Sequence, residues 1–107
     1  MTSLSKVPKL NIDYGQLAIV VDNVLYYPTK NQWNIYKTLW ESHGDYVTVA
    51  QLSYAADLQI DNMRWHIVAL RKNLGKDVIL THPRGWGGYR LNIPIHKGTD
   101  FDYREEA

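Results

Sequence analysis

The 107-residue chain contains no cysteine. That rules out a disulfide framework and any thiolate-held metal, and it suits a reducing compartment. Long hydrophobic runs are also missing. The longest, Leu17 to Val21 ("LAIVV"), is far shorter than the roughly 20 apolar residues a membrane helix needs. The opening residues "MTSLSKVPKL" lack the apolar centre of a signal peptide. A cytoplasmic protein without membrane contact is expected. Nor is there an excess of charge of one sign: Lys and Arg number 12, Asp and Glu 11, and a net charge of +1 points to no partner. We find no internal repeat and no low-complexity segment.

Hydrophobic residues make up 45% of the chain and charged residues 21%, ordinary values for a single folded domain. The charges are unevenly placed. Residues 61–90 carry six basic side chains (Arg64, Arg71, Lys72, Lys76, Arg84, Arg90) against two acidic ones (Asp61, Asp77), while acids outnumber bases on both sides of that stretch. Such asymmetry is the electrostatic footprint of a polyanion site, although a merely solvated basic face would look the same.

Local patterns order the chain. Residues 1–9 are aperiodic and read as a flexible arm. From Leu10 to Tyr27 the chain is β-branched and aromatic, and Asp22-Asn23 between "QLAIVV" and "VLYY" supplies residues that tolerate the positive φ of a hairpin turn. A third strand around Leu10–Ile12 is an option. Thr29 and Gln32 have capping-box spacing and begin a first helix, which Gly44 is expected to end. Thr48 and Gln51 repeat the box for a second helix, with Val49, Leu52 and the Tyr54–Ala56 stretch as candidates for its inner face. Asp61 is expected to cap a third helix that Gly75 closes, with Met63, Ile67, Leu70 and Leu74 on one inward seam. Val78 to His82 reads as a strand, "PRGWGG" as a turn, Tyr89 to Ile93 as the returning strand, and residues 96–107 as an acidic tail. The expected fold class is α+β: a winged helix-turn-helix over residues 10–95, in which a three-helix core lies between an N-terminal β-hairpin and a C-terminal β-hairpin wing.

"HIVALRKNLG" followed by "ILTHPRGWGGYRL" resembles the C-terminal effector domain of OmpR-type response regulators. His66, Ile67, Leu70, Arg71, Lys72, Leu74 and Gly75 carry the helix resemblance; Arg84, Gly85, Gly88, Tyr89, Arg90 and Leu91 carry that of the wing. The resemblance extends over roughly residues 17–93. It implies a transcription regulator that binds double-stranded DNA, with its third helix in the major groove and a wing arginine at the minor groove or on phosphate. It also implies that the loop between helices one and two can touch RNA polymerase. By the same resemblance Arg71, Lys72 and Arg84 stand at DNA-contact positions, Asn62 and Arg64 on the leading turn of the helix, and His66 at a phosphate-donor position. This sequence departs from the family in three ways. Val68 and Ala69 replace residues that are usually basic, the wing tip Trp86-Gly87-Gly88 is one residue longer, and no receiver domain stands upstream. A free-standing effector domain is therefore expected.

The side chains on the outer face of the third helix carry the chemistry. Asn62 and Arg64 can read base edges, whereas Trp65, Val68 and Ala69 offer only apolar contact, to thymine methyls or to a protein. Trp65 has three open readings: packing under the arm or against a neighbouring subunit, a protein contact, or a DNA contact. The DNA-binding set is thus Asn62, Arg64, Trp65, His66, Arg71, Lys72 and Arg84. A rival protein-binding set, for RNA polymerase or another regulator, is Trp65, Val68 and Ala69. One module makes few contacts, so a homodimer on DNA is a further option. Catalysis finds no support. His43, His66, His82 and His96 have no ligand pairing, "RGWGG" is followed by no helix or P-loop lysine, and no triad is laid out. No enzyme, cofactor or metal is expected.

Overall fold

The computed structural model describes residues 7–83 and 87–94. The first six residues of the expected arm, the wing-tip residues Arg84, Gly85 and Trp86, and the acidic tail lie outside the described residues. Along the chain run β1 (Leu10–Asp13), β2 (Ala18–Val21), β3 (Val24–Tyr26), α1 (Lys30–Glu41), β4 (Val47–Thr48), α2 (Val49–Ala56), α3 (Ile60–Leu74), β5 (Ile79–Thr81) and β6 (Gly88–Leu91). This is the expected α+β winged helix-turn-helix order, with strands flanking three helices.

The first sheet is antiparallel with order β1-β2-β3, so the optional strand at Leu10 is formed. Its β2–β3 turn is made by Asp22 (φ 50°) and Asn23 (φ 70°), with Val21 paired to Val24 across it. Both turn residues take the left-handed conformation that two-residue hairpins of matching twist require. Asp22 also secures β1: its backbone N–H donates to the Lys9 carbonyl at 2.8 Å and its carboxylate accepts from the Lys9 N–H at 2.9 Å.

Both capping boxes form. The Thr29 hydroxyl accepts from the Gln32 N–H while the Gln32 amide accepts from the Thr29 N–H, and Thr48 and Gln51 do the same for α2. Each satisfies two backbone donors that a bare helix start leaves open. The ends differ more from expectation. α1 stops at Glu41, with Ser42 as its cap, and His43 (φ 53°) and Gly44 (φ 87°) turn the chain beyond it. The α3 cap position belongs to Gln59, which makes no side-chain cap bond; Asp61 instead lies in the first turn, where its charge suits the helix dipole. Tyr54 points outward, 92% exposed, while Leu52, Ser53 and Ala56 are buried.

The core is built where the periodicity places it. Met63, Ile67, Leu70 and Leu74 of α3 meet Trp33, Ile35, Tyr36 and Leu39 of α1, Leu52 and Ala56 of α2, and Ile79 and Leu91 of the wing. Tyr36 is fully buried, and its hydroxyl donates to the Asn11 carbonyl at 2.9 Å, which ties α1 to β1.

The wing is larger than a hairpin. Its sheet has the order β4-β6-β5, because Val47 and Thr48 pair with Tyr89 and Gly88. A side chain at Gly88 would bring a Cβ to 3.3 Å from the Val47 carbonyl, so the close approach of β4 favours glycine there. The strand expected at Val78–His82 is shortened to Ile79–Thr81, and the returning one shifts to Gly88–Leu91.

Candidate nucleic-acid interface

At 3.6 residues per turn, the buried α3 seam fixes what the helix shows on its other side. Asp61, Trp65, Val68 and Lys72 follow one another along the outward line, with Asn62 and Arg64 on the leading turn. All six are exposed, Trp65 at 75% and Val68 at 50%. His66 and Ala69 are half-buried at the edges of this face. The sequence-predicted residues Asn62, Arg64, Trp65, Val68, Ala69 and Lys72 therefore share one accessible helix surface. Arg84 lies outside the described residues.

Arg71 is placed differently. Its guanidinium turns toward the wing: Nε and Nη2 donate to the Ile79 carbonyl at 3.0 and 2.8 Å, and Nη2 donates to the Thr81 hydroxyl at 2.7 Å. The same group stands 5.7 Å from the Tyr89 ring centroid, in cation–π range. Three of the five guanidinium N–H bonds are thus engaged within the chain. Charge-assisted bonds of this kind are the strong class, so Arg71 chiefly fixes the angle between α3 and β5.

Arg90 forms a second clamp, a role that the sequence pattern did not assign to it. Its Nη1 donates to the carbonyls of Gly44, Leu91 and Ile93 at 3.4, 3.1 and 3.3 Å, and its guanidinium lies 5.6 Å from the Tyr46 ring centroid. Tyr46 in turn contacts the His82 ring, with centroids 4.6 Å apart. The loop between α1 and α2, β4 and the wing are therefore tied together, further joined by the Val49 N–H to the Gly87 carbonyl at 2.9 Å. No local signal could have found these partners, since Gly44 and Arg90 are 46 residues apart. Tyr54 is different. It lies two residues from both Leu52 and Ala56, and on a helix that spacing puts it opposite their seam.

The arrangement presents apolar surface between polar and cationic ends, on a rigid helix beside a braced wing. Among the described residues no group of three or more histidine or acidic side chains could hold a metal ion, and no helix is long and apolar enough to cross a membrane.

No family model matches the chain. Over 86 residues it is 28% identical to the transcriptional regulatory protein KdpE of Staphylococcus aureus, an alignment covering 70% of this chain and 37% of KdpE. The chain thus spans little more than a third of that relative's length. Among solved structures, the DNA-binding domain of the response regulator AdeR, in complex with an intercistronic region, superposes with a TM-score of 0.65 at 23% identity, covering 86% of this chain and all of that domain. A member of a family of streptococcal redox sensors evolved from two-component response regulators gives a TM-score of 0.66 at 25% identity, over 84% of this chain and 44% of that one. Helix order, wing topology and these likenesses together show a winged helix-turn-helix fold similar to that of a response-regulator DNA-binding domain.

Proposed function

We propose that this domain is a transcription regulator that binds double-stranded DNA, laying α3 in the major groove and its wing against the neighbouring backbone or minor groove. The observation that carries the reading is the exposed outer face of α3, with Arg64 and Lys72 accessible, in a fold whose AdeR relative was crystallised on DNA. A major groove about 12 Å wide accepts a helix of this diameter. Asn62 and Arg64 would address base edges from the leading turn. Lys72 and His66 would reach phosphates, and Arg71 would do so beside the wing. Arg84, at the wing tip, would enter the minor groove or grip phosphate. Two copies on adjacent half-sites, and contact of the α1–α2 loop with RNA polymerase, fit the same reading.

A second reading has its own support. Trp65 and Val68, with Ala69 beside them, form an exposed apolar patch of the kind that anchors protein interfaces, for RNA polymerase or another regulator. Salt separates the two. Contact with about four phosphates should weaken binding to a mixed-sequence duplex roughly 150-fold between 50 and 200 mM salt. Arg84→Ala should weaken it further and reduce the logarithmic salt slope by about one. Fluorescence anisotropy of a labelled duplex measures both. Absence of binding at 50 mM salt would remove the DNA reading and leave the protein-binding one.

A further inference from the structure

We propose that the outer face of α3 reads thymine methyl groups, with Trp65 and Val68 as the specificity-determining side chains; this rests on the DNA-binding reading above. A base-reading helix usually places arginine, lysine or amide groups at the centre of its exposed face, because most base edges in the major groove offer only hydrogen-bond donors and acceptors. Here the centre holds Trp65, 75% exposed, and Val68, 50% exposed, with the small side chain of Ala69 next to them. The one apolar group on a base edge in that groove is the thymine C5-methyl. Setting these side chains against guanine or cytosine edges would strip water from polar atoms and give nothing in return. Against thymine methyls they bury apolar surface on both sides.

Charge favours a duplex over an apolar protein partner as the occupant. Asn62 and Arg64 bound the apolar centre at its N-terminal end and Lys72 at its C-terminal end, all exposed. The bound side chains of Arg71 and the wing hold the helix at a fixed angle beside them. Asp61 lies on the same outward line, where a carboxylate is repelled by phosphate but accepts a hydrogen bond from a cytosine amino group. Spacing agrees as well. Trp65 and Val68 are separated by about 4.5 Å along the helix axis, little more than one base-pair step of about 3.4 Å, so the two side chains address neighbouring base pairs.

The test uses the full chain. Duplexes are selected from a randomised library, and each enriched thymidine is then replaced singly by deoxyuridine. Uracil keeps the pairing edge and the O4 acceptor and loses only the methyl group. Thymine should be enriched at two neighbouring base pairs, and each replacement should weaken binding about fourfold, the equivalent of ~0.8 kcal/mol per buried methyl. Trp65→Ala should lose the discrimination at one of these positions and Val68→Ala at the other, with melting temperatures unchanged because both side chains are exposed. Equal affinity for thymine and uracil duplexes, or undiminished discrimination by both variants, overturns the proposal while leaving DNA binding intact. Failure of the wild-type chain to bind any duplex at 50 mM salt overturns the DNA-binding reading with it and assigns the apolar face to a protein.

Discussion

The two faces of α3 are both apolar at their centres, yet they have opposite fates. On the inner face Met63, Ile67, Leu70 and Leu74 are no more than 7% exposed and every one has partners in the chain. On the outer face Trp65 and Val68 are at least half exposed. Burial of the first set stabilises the fold; the second set contributes almost nothing until something binds. Hydrophobicity alone therefore does not mark core. The helical period decides which apolar residues belong to the fold and which are offered to a partner.

Substitutions can break that contrast, and the largest effect belongs to the inner face. Leu70→Ala should cost about 3 kcal/mol of folding stability, from lost transfer energy and the cavity left behind. Chemical denaturation would measure it, and the remaining folded protein should bind duplex as before. Next comes the brace between helix and wing. Arg71→Ala removes three charge-assisted bonds to Ile79 and Thr81 and should cost about 2 kcal/mol, with weakened DNA binding as well. Arg71→Lys should recover only part of this, since an ammonium cannot reproduce the fork.

A smaller effect is expected one layer deeper, at Tyr36. Burial pushes its phenol pKa above the ordinary value of 10.0. The stability this provides is fully present below pH 10 and declines as the pH rises further, because the unfolded chain ionises there while the folded chain resists. Tyr36→Phe should cost about 1 kcal/mol at neutral pH by orphaning the Asn11 carbonyl. It should also flatten the alkaline limb of a stability–pH curve recorded by denaturant melts. The smallest effect on stability is expected at the outer face, where Trp65→Ala should stay within about 0.5 kcal/mol of wild type. A large loss at that site would mean that Trp65 packs against the chain after all, and the contrast between the faces would fail.

Much of this arrangement can be read from the sequence, for reasons that are local. Capping boxes at Thr29 and Thr48 and the three- and four-residue spacing of the α3 seam depend on residues within one or two turns of each other. The hairpin at Asp22-Asn23 depends on two adjacent residues with left-handed tolerance. What sequence reasoning missed is non-local. β4 is only two residues long and exists because Gly88 lets it approach β6. The bonds of Arg71 to Ile79 and Thr81 become visible only once the wing is brought beside α3, and those of Arg90 only once Gly44 and Tyr46 arrive from the other side of the wing. Asp61 is a good capping residue and Gln59 is not, yet Gln59 holds the cap position of α3 and Asp61 lies inside its first turn.

If DNA is bound, the outer face of α3 is the surface that meets it. The indole N–H signals of the four tryptophans test it most directly, followed by NMR as duplex is added to labelled protein, with Trp65→Phe used to assign that resonance. The Trp65 signal should shift in a saturable, salt-dependent way while that of buried Trp33 stays in place. A stationary Trp65 signal under conditions where duplex is bound would contradict it.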